Sequence, residues 1–263
     1  MPGMALPRIL EDFSPRHRRR PRRWWFWRAG APGHLDFDLV GHGVPLLVCG
    51  TIWISTHVWR MRRPPAPLVW TGADEEGRER VNALDRKGRE LLLWNDPMLA
   101  RQLSNVLANF LVPAGAAGLA VAAGLKGGGG PFADVLVAAE AMVYAGTISQ
   151  AAKLIFRRQR PFARFSPPVE PTQGTLRLPD DDNLSFFSSH TSTTMAFAFA
   201  VAQIVTRRRV RTPLVFILGI ASGLTGYLRI ASDRHYVTDV LAGGAVGALV
   251  GTAVPRLLHP PID

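Results

Sequence analysis

Apolar residues in this 263-residue chain fall in long blocks, not in the short amphipathic stripes of an ordinary globular domain. Crossing the hydrocarbon core of a bilayer takes roughly 20 mostly apolar residues per helix. Six segments approach that length: Leu39 to Trp59, Leu103 to Leu125, Phe132 to Phe156, Ser189 to Val205, Pro213 to Ile230 and Asp239 to Val254. The second and sixth are rich in Gly and Ala, which let helices approach closely in lipid, where packing drives association. The pattern predicts an all-α fold, a polytopic membrane helical bundle of about six transmembrane helices. It divides into an arm over 1–38, a first helix and loop over 39–102, and a helical bundle over 103–263. The alternative, a buried hairpin of a soluble protein, needs a polar shell that the chain has little left to supply.

Charge sets the orientation. The formal net charge is +11, mostly from arginine. Arg16, Arg18, Arg19, Arg20, Arg22, Arg23 and Arg28 form one cluster, and Arg207, Arg208, Arg209 and Arg211 another. Beside long apolar segments, such clusters favour anionic lipid over nucleic acid, and no nucleic-acid partner is expected. Lys and Arg mark cytoplasmic loops. They place the N-terminal arm, the loop at Lys126 and the loop from Arg207 to Arg211 on the cytoplasmic side. Trp24-Trp25-Phe26-Trp27 is read either as an interfacial anchor or as part of a basic tail without a specific role. No signal peptide is expected, because no short apolar core with a small-residue cleavage site follows the basic region. The loop from Arg60 to Gln102 breaks the charge rule, being basic yet external, but it also carries Asp74, Glu75, Glu76, Glu79, Asp85, Glu90 and Asp96. Its stretch from Arg78 to Trp94 suits a short helix without assigned chemistry. The single cysteine, Cys49, permits neither an intrachain disulfide nor a Cys-based zinc site.

Three polar clusters sit at span ends on the expected external side. Lys153 and Arg160 close the third span, seven residues apart and so on one helical face, with Pro161 as the helix stop. Phe187-Ser188-Ser189-His190 opens the fourth. Arg229, His235 and Asp239 bridge the fifth and sixth. Arginine forks and a lysine point charge suit a phosphoryl group with charge on three oxygens. Lys153, Arg160 and Arg229 supply that cradle, Ser188 a hydroxyl donor, and the start of the fourth span a helix N-terminus. His235 and Asp239, four apart, meet on a helical turn, so the carboxylate holds one ring nitrogen and leaves the other as a nucleophile.

These clusters resemble the three-part signature of the type 2 phosphatidic acid phosphatase superfamily, K-x6-R-P, P-S-G-H and S-R-x5-H-x3-D. The first part matches fully. In the second, Phe187 stands for Pro and Ser189 for Gly. In the third, Leu228 stands for Ser. The resemblance covers about half the chain, from Phe132 to Val254. It implies a metal-independent lipid phosphate or diphosphate phosphatase with no cofactor. His235 would be phosphorylated, Asp239 would orient it, and His190 would protonate the leaving alkoxide and then activate water. Lys153, Arg160, Ser188, Ser189 and Arg229 would hold the phosphate. Ser189 would alter the cradle's geometry. Substrates such as undecaprenyl diphosphate, phosphatidate or phosphatidylglycerol phosphate are implied, in a bacterial plasma membrane with the site facing outward. A phosphotransferase of the same superfamily and a non-catalytic binder of lipid phosphates are the rival readings.

Other polar residues receive plainer roles. His17, His34, His42, His57 and His259 are expected to be interfacial polar groups. Arg157, Arg158 and Arg164 are expected to be snorkelling anchors. Asp233 and Arg234 are expected to pair locally. The loop from Phe162 to Leu184, with Pro167, Pro168, Pro171, Pro179 and Asp180 to Asp182, is either a cover for the site or a solvated linker.

Overall fold

The computed structural model describes residues 34–35, 39–60, 75, 80–127, 131–165, 182–204, 208–259 and 261–262. The basic Trp-rich arm, apart from 34–35, and most of the Pro-rich loop, 166–181, lie outside the described residues.

Nine α-helices carry the described chain: α1 (Val44–Arg60), α2 (Ala83–Leu92), α3 (Pro97–Val106), α4 (Val112–Gly127), α5 (Pro131–Phe156), α6 (Pro161–Phe165), α7 (Ser189–Ile204), α8 (Arg208–Ala231) and α9 (Val237–Leu257). A π-helical turn, Leu39–Gly43, precedes α1, and another, Leu107–Leu111, joins α3 to α4 in one rod. A two-residue antiparallel bridge pairs His34–Leu35 with Pro261–Ile262. The fold is thus an all-α membrane bundle, with each expected span occupied by a helix. The second begins earlier than the pattern suggests, at Pro97, where Asp96 caps the helix by accepting from Leu99 N–H at 3.0 Å. The short helix in the first loop forms at α2, capped by Asn82, whose side chain accepts from Asp85 N–H at 2.9 Å.

Among the described residues, four helical stretches are long and apolar enough to cross a membrane: Pro97–Ala122, Phe132–Phe165, Thr212–Ala231 and Val237–Leu257. Their outer faces expose large apolar side chains, including Phe110 at 67%, Ile220 at 70% and Leu249 at 69%. Apolar exposure on this scale suits lipid and not water. The described parts of α1 and α7, 17 and 16 residues, extend over about 26 and 24 Å. Helix α7 lies inside the bundle. It packs against α4, α5, α8 and α9, and most of its residues, Thr191 to Thr194 among them, are buried. The polar side chains there bond back to their own helix. Thr193 Oγ1 donates to Ser189 O and Thr194 Oγ1 to His190 O, both at 2.8 Å.

The contact between α7 and α9 is backbone to backbone. A Cβ at Gly243, Gly247 or Gly251 would lie 2.7, 2.3 or 2.2 Å from the carbonyl oxygens of Ser188, Ser192 and Ala196. The i, i+4, i+8 spacing puts the three glycines on one face. This stripe sets where the start of α7 stands against the start of α9. Replacing Gly247 with Leu is expected to destabilise the bundle by about 1–3 kcal/mol or more, because the close-packed helices must separate. Thermal unfolding in detergent reads it, with Gly219→Leu, which has open space, as the neutral comparison.

Candidate functional site

The three polar clusters meet at one end of the bundle, and the route there differs in part from the sequence expectation. Helix α5 ends at Phe156, not at Pro161. Arg157 takes a left-handed conformation, φ 44°, and Pro161 opens the short helix α6 in the N-terminal position that suits proline. Lys153 and Arg160 therefore do not share a continuous helical face. The break turns the chain back so that Arg158 and Arg160 both point inward. Arg158 is not a snorkelling anchor: it is 1% exposed.

Lys153, at the end of α5, donates from Nζ to Ser189 Oγ at 2.7 Å, and Ser189 Oγ also lies 2.6 Å from Ser149 Oγ. The side chain at the position where the resembled signature has Gly thus meets the lysine directly. Ser188 is buried, its N–H donating to Asp239 O at 3.1 Å and its Oγ accepting from Thr191 Oγ1 at 2.9 Å. Arg160 donates from Nη1 to Arg234 O at 2.8 Å and lies 3.2 Å from His235 Nε2. Arg229, in the last turn of α8, donates from Nη1 to Ser104 Oγ at 3.2 Å and to Asn105 Oδ1 at 3.4 Å. The same Asn105 oxygen is 3.1 Å from His190 Nε2, so one amide on α3 ties the second cluster to the third.

His235 does not share a helical turn with Asp239. It precedes Tyr236, the N-cap of α9, and Asp239 folds back to accept from Tyr236 N–H at 3.0 Å. The ring still faces the carboxylate, with Nδ1 3.6 Å from Asp239 Oδ2. That separation exceeds a hydrogen bond, because Oδ2 already accepts from Ser185 Oγ and Tyr236 N–H. On the other side, Nε2 faces the cations. Burial, followed by the charges of Arg160, Arg229, Lys153 and Arg234, holds the His235 ring well below its ordinary value of 6.5, so it is neutral at pH 7.

Asp239 is completely buried, and its other oxygen accepts from Arg158 Nη1 at 2.6 Å. Arg158 Nη2 in turn donates to Asp85 Oδ2 at 2.6 Å, and its guanidinium lies 4.1 Å from the centre of the Tyr236 ring. Asp85, in the first turn of α2, also accepts from Thr238 N–H at 2.9 Å and Thr238 Oγ1 at 2.7 Å. The acidic loop residue with no assigned chemistry is therefore the far end of a buried carboxylate–guanidinium–carboxylate chain. Nothing in a loop with seven acidic residues marks that one, although Asn82 three residues earlier carries a helix-start signal. Asp233 does not pair with Arg234. It takes both ends of the Arg89 fork from α2, at 2.6 and 2.8 Å, while Arg234 stacks on Phe162 at 4.6 Å.

The result is a buried group of three cations around a neutral histidine, with the start of α7 and a second histidine alongside. It suits a phosphoryl anion by charge and by donor count.

The chain resembles known proteins in sequence over this region. Residues 134–262 match the sequence profile of the PAP2 superfamily. Over 113 residues the chain is 36% identical to undecaprenyl-diphosphatase BcrC of Bacillus subtilis (strain 168), an alignment that covers 42% of this chain and 52% of that protein. The matched part thus spans about half the length of that relative. The crystal structure of a transmembrane PAP2-type phosphatidylglycerolphosphate phosphatase from Bacillus subtilis superimposes with a TM-score of 0.46 at 19% identity, covering 81% of this chain and 94% of that one. With the profile match extending over all three polar clusters, the chain belongs through residues 134–262 to the PAP2 superfamily.

Proposed function

We propose that this protein is a metal-independent lipid phosphate or diphosphate phosphatase that works through a phosphohistidine intermediate at the external membrane face. The observation that carries the reading is the His235 ring, held between Asp239 on its Nδ1 side and Arg160 on its Nε2 side. An incoming phosphate replaces Arg160 as the partner of Nε2, and Lys153, Arg160 and Arg229 take its non-bridging oxygens. The lone pair on Nε2 forms the bond to phosphorus while the bond to the lipid oxygen breaks. His190, beside Asn105, gives the leaving oxygen its proton. It then takes one from the water that displaces phosphate from His235. Asp239 stabilises the positive ring during the transfer, its Nδ1 contact tightening as charge develops. Apo distances in active sites are commonly longer than those in the reacting complex.

Orientation rests on the basic loops. The cradle lies at the end of α5 and the start of α7, away from the end of α4 that carries Lys126 and the start of α8 that carries Arg208, which the charge rule places in the cytoplasm. The name of the relative BcrC puts a polyprenyl diphosphate first among candidate substrates.

The test is inorganic phosphate release by detergent-purified protein from a panel of lipid mono- and diphosphates with EDTA present. Release is expected to persist in EDTA and to vanish in His235→Ala. Release that needs an added divalent ion, or survives that substitution, would overturn the mechanism. Asp85→Asn serves as a probe of positioning, since it removes one end of the chain that holds Asp239. It is expected to cost about 3–5 kcal/mol of stability, the scale for breaking a buried pair, and to lower kcat with KM little changed. An unchanged kcat in folded variant would confine Asp85 to packing. The pH prediction concerns His235 itself. Its folded value lies below 6.5, so the unfolded chain takes up this proton first as pH falls. The stability contributed by the neutral ring is lost as pH drops below 6.5. Nitrogen-15 spectra of labelled histidines in phosphate-free protein should find this ring still neutral at pH 6.5, where an unperturbed histidine is half protonated. A ring already protonated there contradicts the assignment.

A further inference from the structure

A second cluster of ligating side chains lies far from the phosphate cradle. His42 comes from the π-helical turn before α1, Glu140 from α5 and His259 from the residue pair beyond α9. Glu140 and His259 are completely buried, and the His42 side chain is 21% exposed. Neither histidine is the interfacial polar group that its sequence position suggests. His259 Nε2 lies 2.5 Å from Glu140 Oε2, His42 Nδ1 lies 3.8 Å from Glu140 Oε1, and the two imidazole centres are 4.1 Å apart. One ligating atom from each residue falls within 4.8 Å of the others. Tyr144, one turn along α5, donates its hydroxyl to Glu140 Oε1.

We propose that His42, Glu140 and His259 form a structural site for a divalent first-row transition cation, with Zn2+ as the best fit. Two imidazoles and a carboxylate are a donor set that zinc accepts, leaving a fourth position for water or another oxygen. Ligand atoms around a tetrahedral ion with bonds of about 2.0–2.1 Å sit about 3.3 Å apart. The separations of 2.5 and 3.8 Å lie on either side of that spacing, so a short movement of each ring admits the ion. The partly exposed side of His42 provides the way in. A cation bound to two neutral imidazoles also balances the completely buried Glu140 carboxylate, whose burial is otherwise costly.

The site is not catalytic. Glu140 precedes Lys153 by thirteen residues on the same helix, which puts it about 20 Å from the cradle. Its effect is to join three segments that are distant in sequence: the turn before α1, the middle of α5 and the chain beyond α9. The short bridge of His34–Leu35 with Pro261–Ile262 lies next to His259 in the chain, so the ion would secure the place where the two ends of the described chain meet.

The experiment uses the full chain in detergent, stripped with a chelator and titrated with Zn2+, with Co2+ as an optical probe. One equivalent of Zn2+ should bind and raise the unfolding temperature, and Co2+ should develop a ligand-field band of low-symmetry coordination. His259→Gln and Glu140→Gln should lose both effects. His42→Gln, whose side chain is partly exposed and so less needed for folding, should weaken binding by about 10–100-fold. His235→Ala should bind normally, because the cradle is a separate site. Absence of saturable binding by the unsubstituted protein would overturn the proposal. So would binding unchanged in His42→Gln, or binding lost in His235→Ala.

Discussion

A carboxylate buried at the end of a membrane helix needs a counter-charge, and Asp239 draws its own from Arg158. Much of the site follows from that requirement. To reach Asp239, Arg158 must leave the helical path, and α5 ends one residue before the left-handed Arg157. Arg158 has a second fork arm, and Asp85 fills it. Asp85 in turn accepts from the first turn of α9 through Thr238. The first loop is thereby held on the end of the bundle where the polar clusters meet, and Arg89 on the same short helix anchors Asp233 beside it. Buried ion pairs of this kind contribute specificity more dependably than stability. Here the specified feature is the direction of one carboxylate.

The second constraint is closeness. Ser188 can donate its N–H to the backbone oxygen of Asp239 only because α7 and α9 touch along Gly243, Gly247 and Gly251. A larger residue anywhere on that stripe would move the start of α7, and with it Ser189 and His190, relative to His235. The Ser and Thr residues of α7 belong to the same arrangement. They are buried among helices and bond to their own backbone, so a helix rich in hydroxyl side chains forms the middle of the bundle.

Under the proposed mechanism, these two constraints divide the work of holding the site. The glycine stripe places the phosphate-binding segment, and the Asp85–Arg158–Asp239 chain aims the nucleophile. Burial, joined by the cations around His235, keeps its ring neutral before substrate arrives, which is the state a nucleophile needs, and those cations have a second use. They are also the groups that would meet the phosphate, so one set of charges serves both ends.

The sequence by itself determined an all-α fold, with a helix in each apolar block, and three polar clusters at block ends, from residue type and spacing. Those features are local: hydropathy and short spacings follow from one helix at a time. Tertiary structure alone decided which loop residues join the site. Arg158 meets Asp85 across 73 positions, Asn105 meets His190 across 85, and His259 meets Glu140 across 119. No periodicity links such pairs. Arg158 looks like its neighbour Arg157, and Asp85 like six other acids in its loop, until folding buries Arg158 and Asp85 together. What separates them is the cost of leaving a buried charge without a partner, and that cost exists only once the helices have packed.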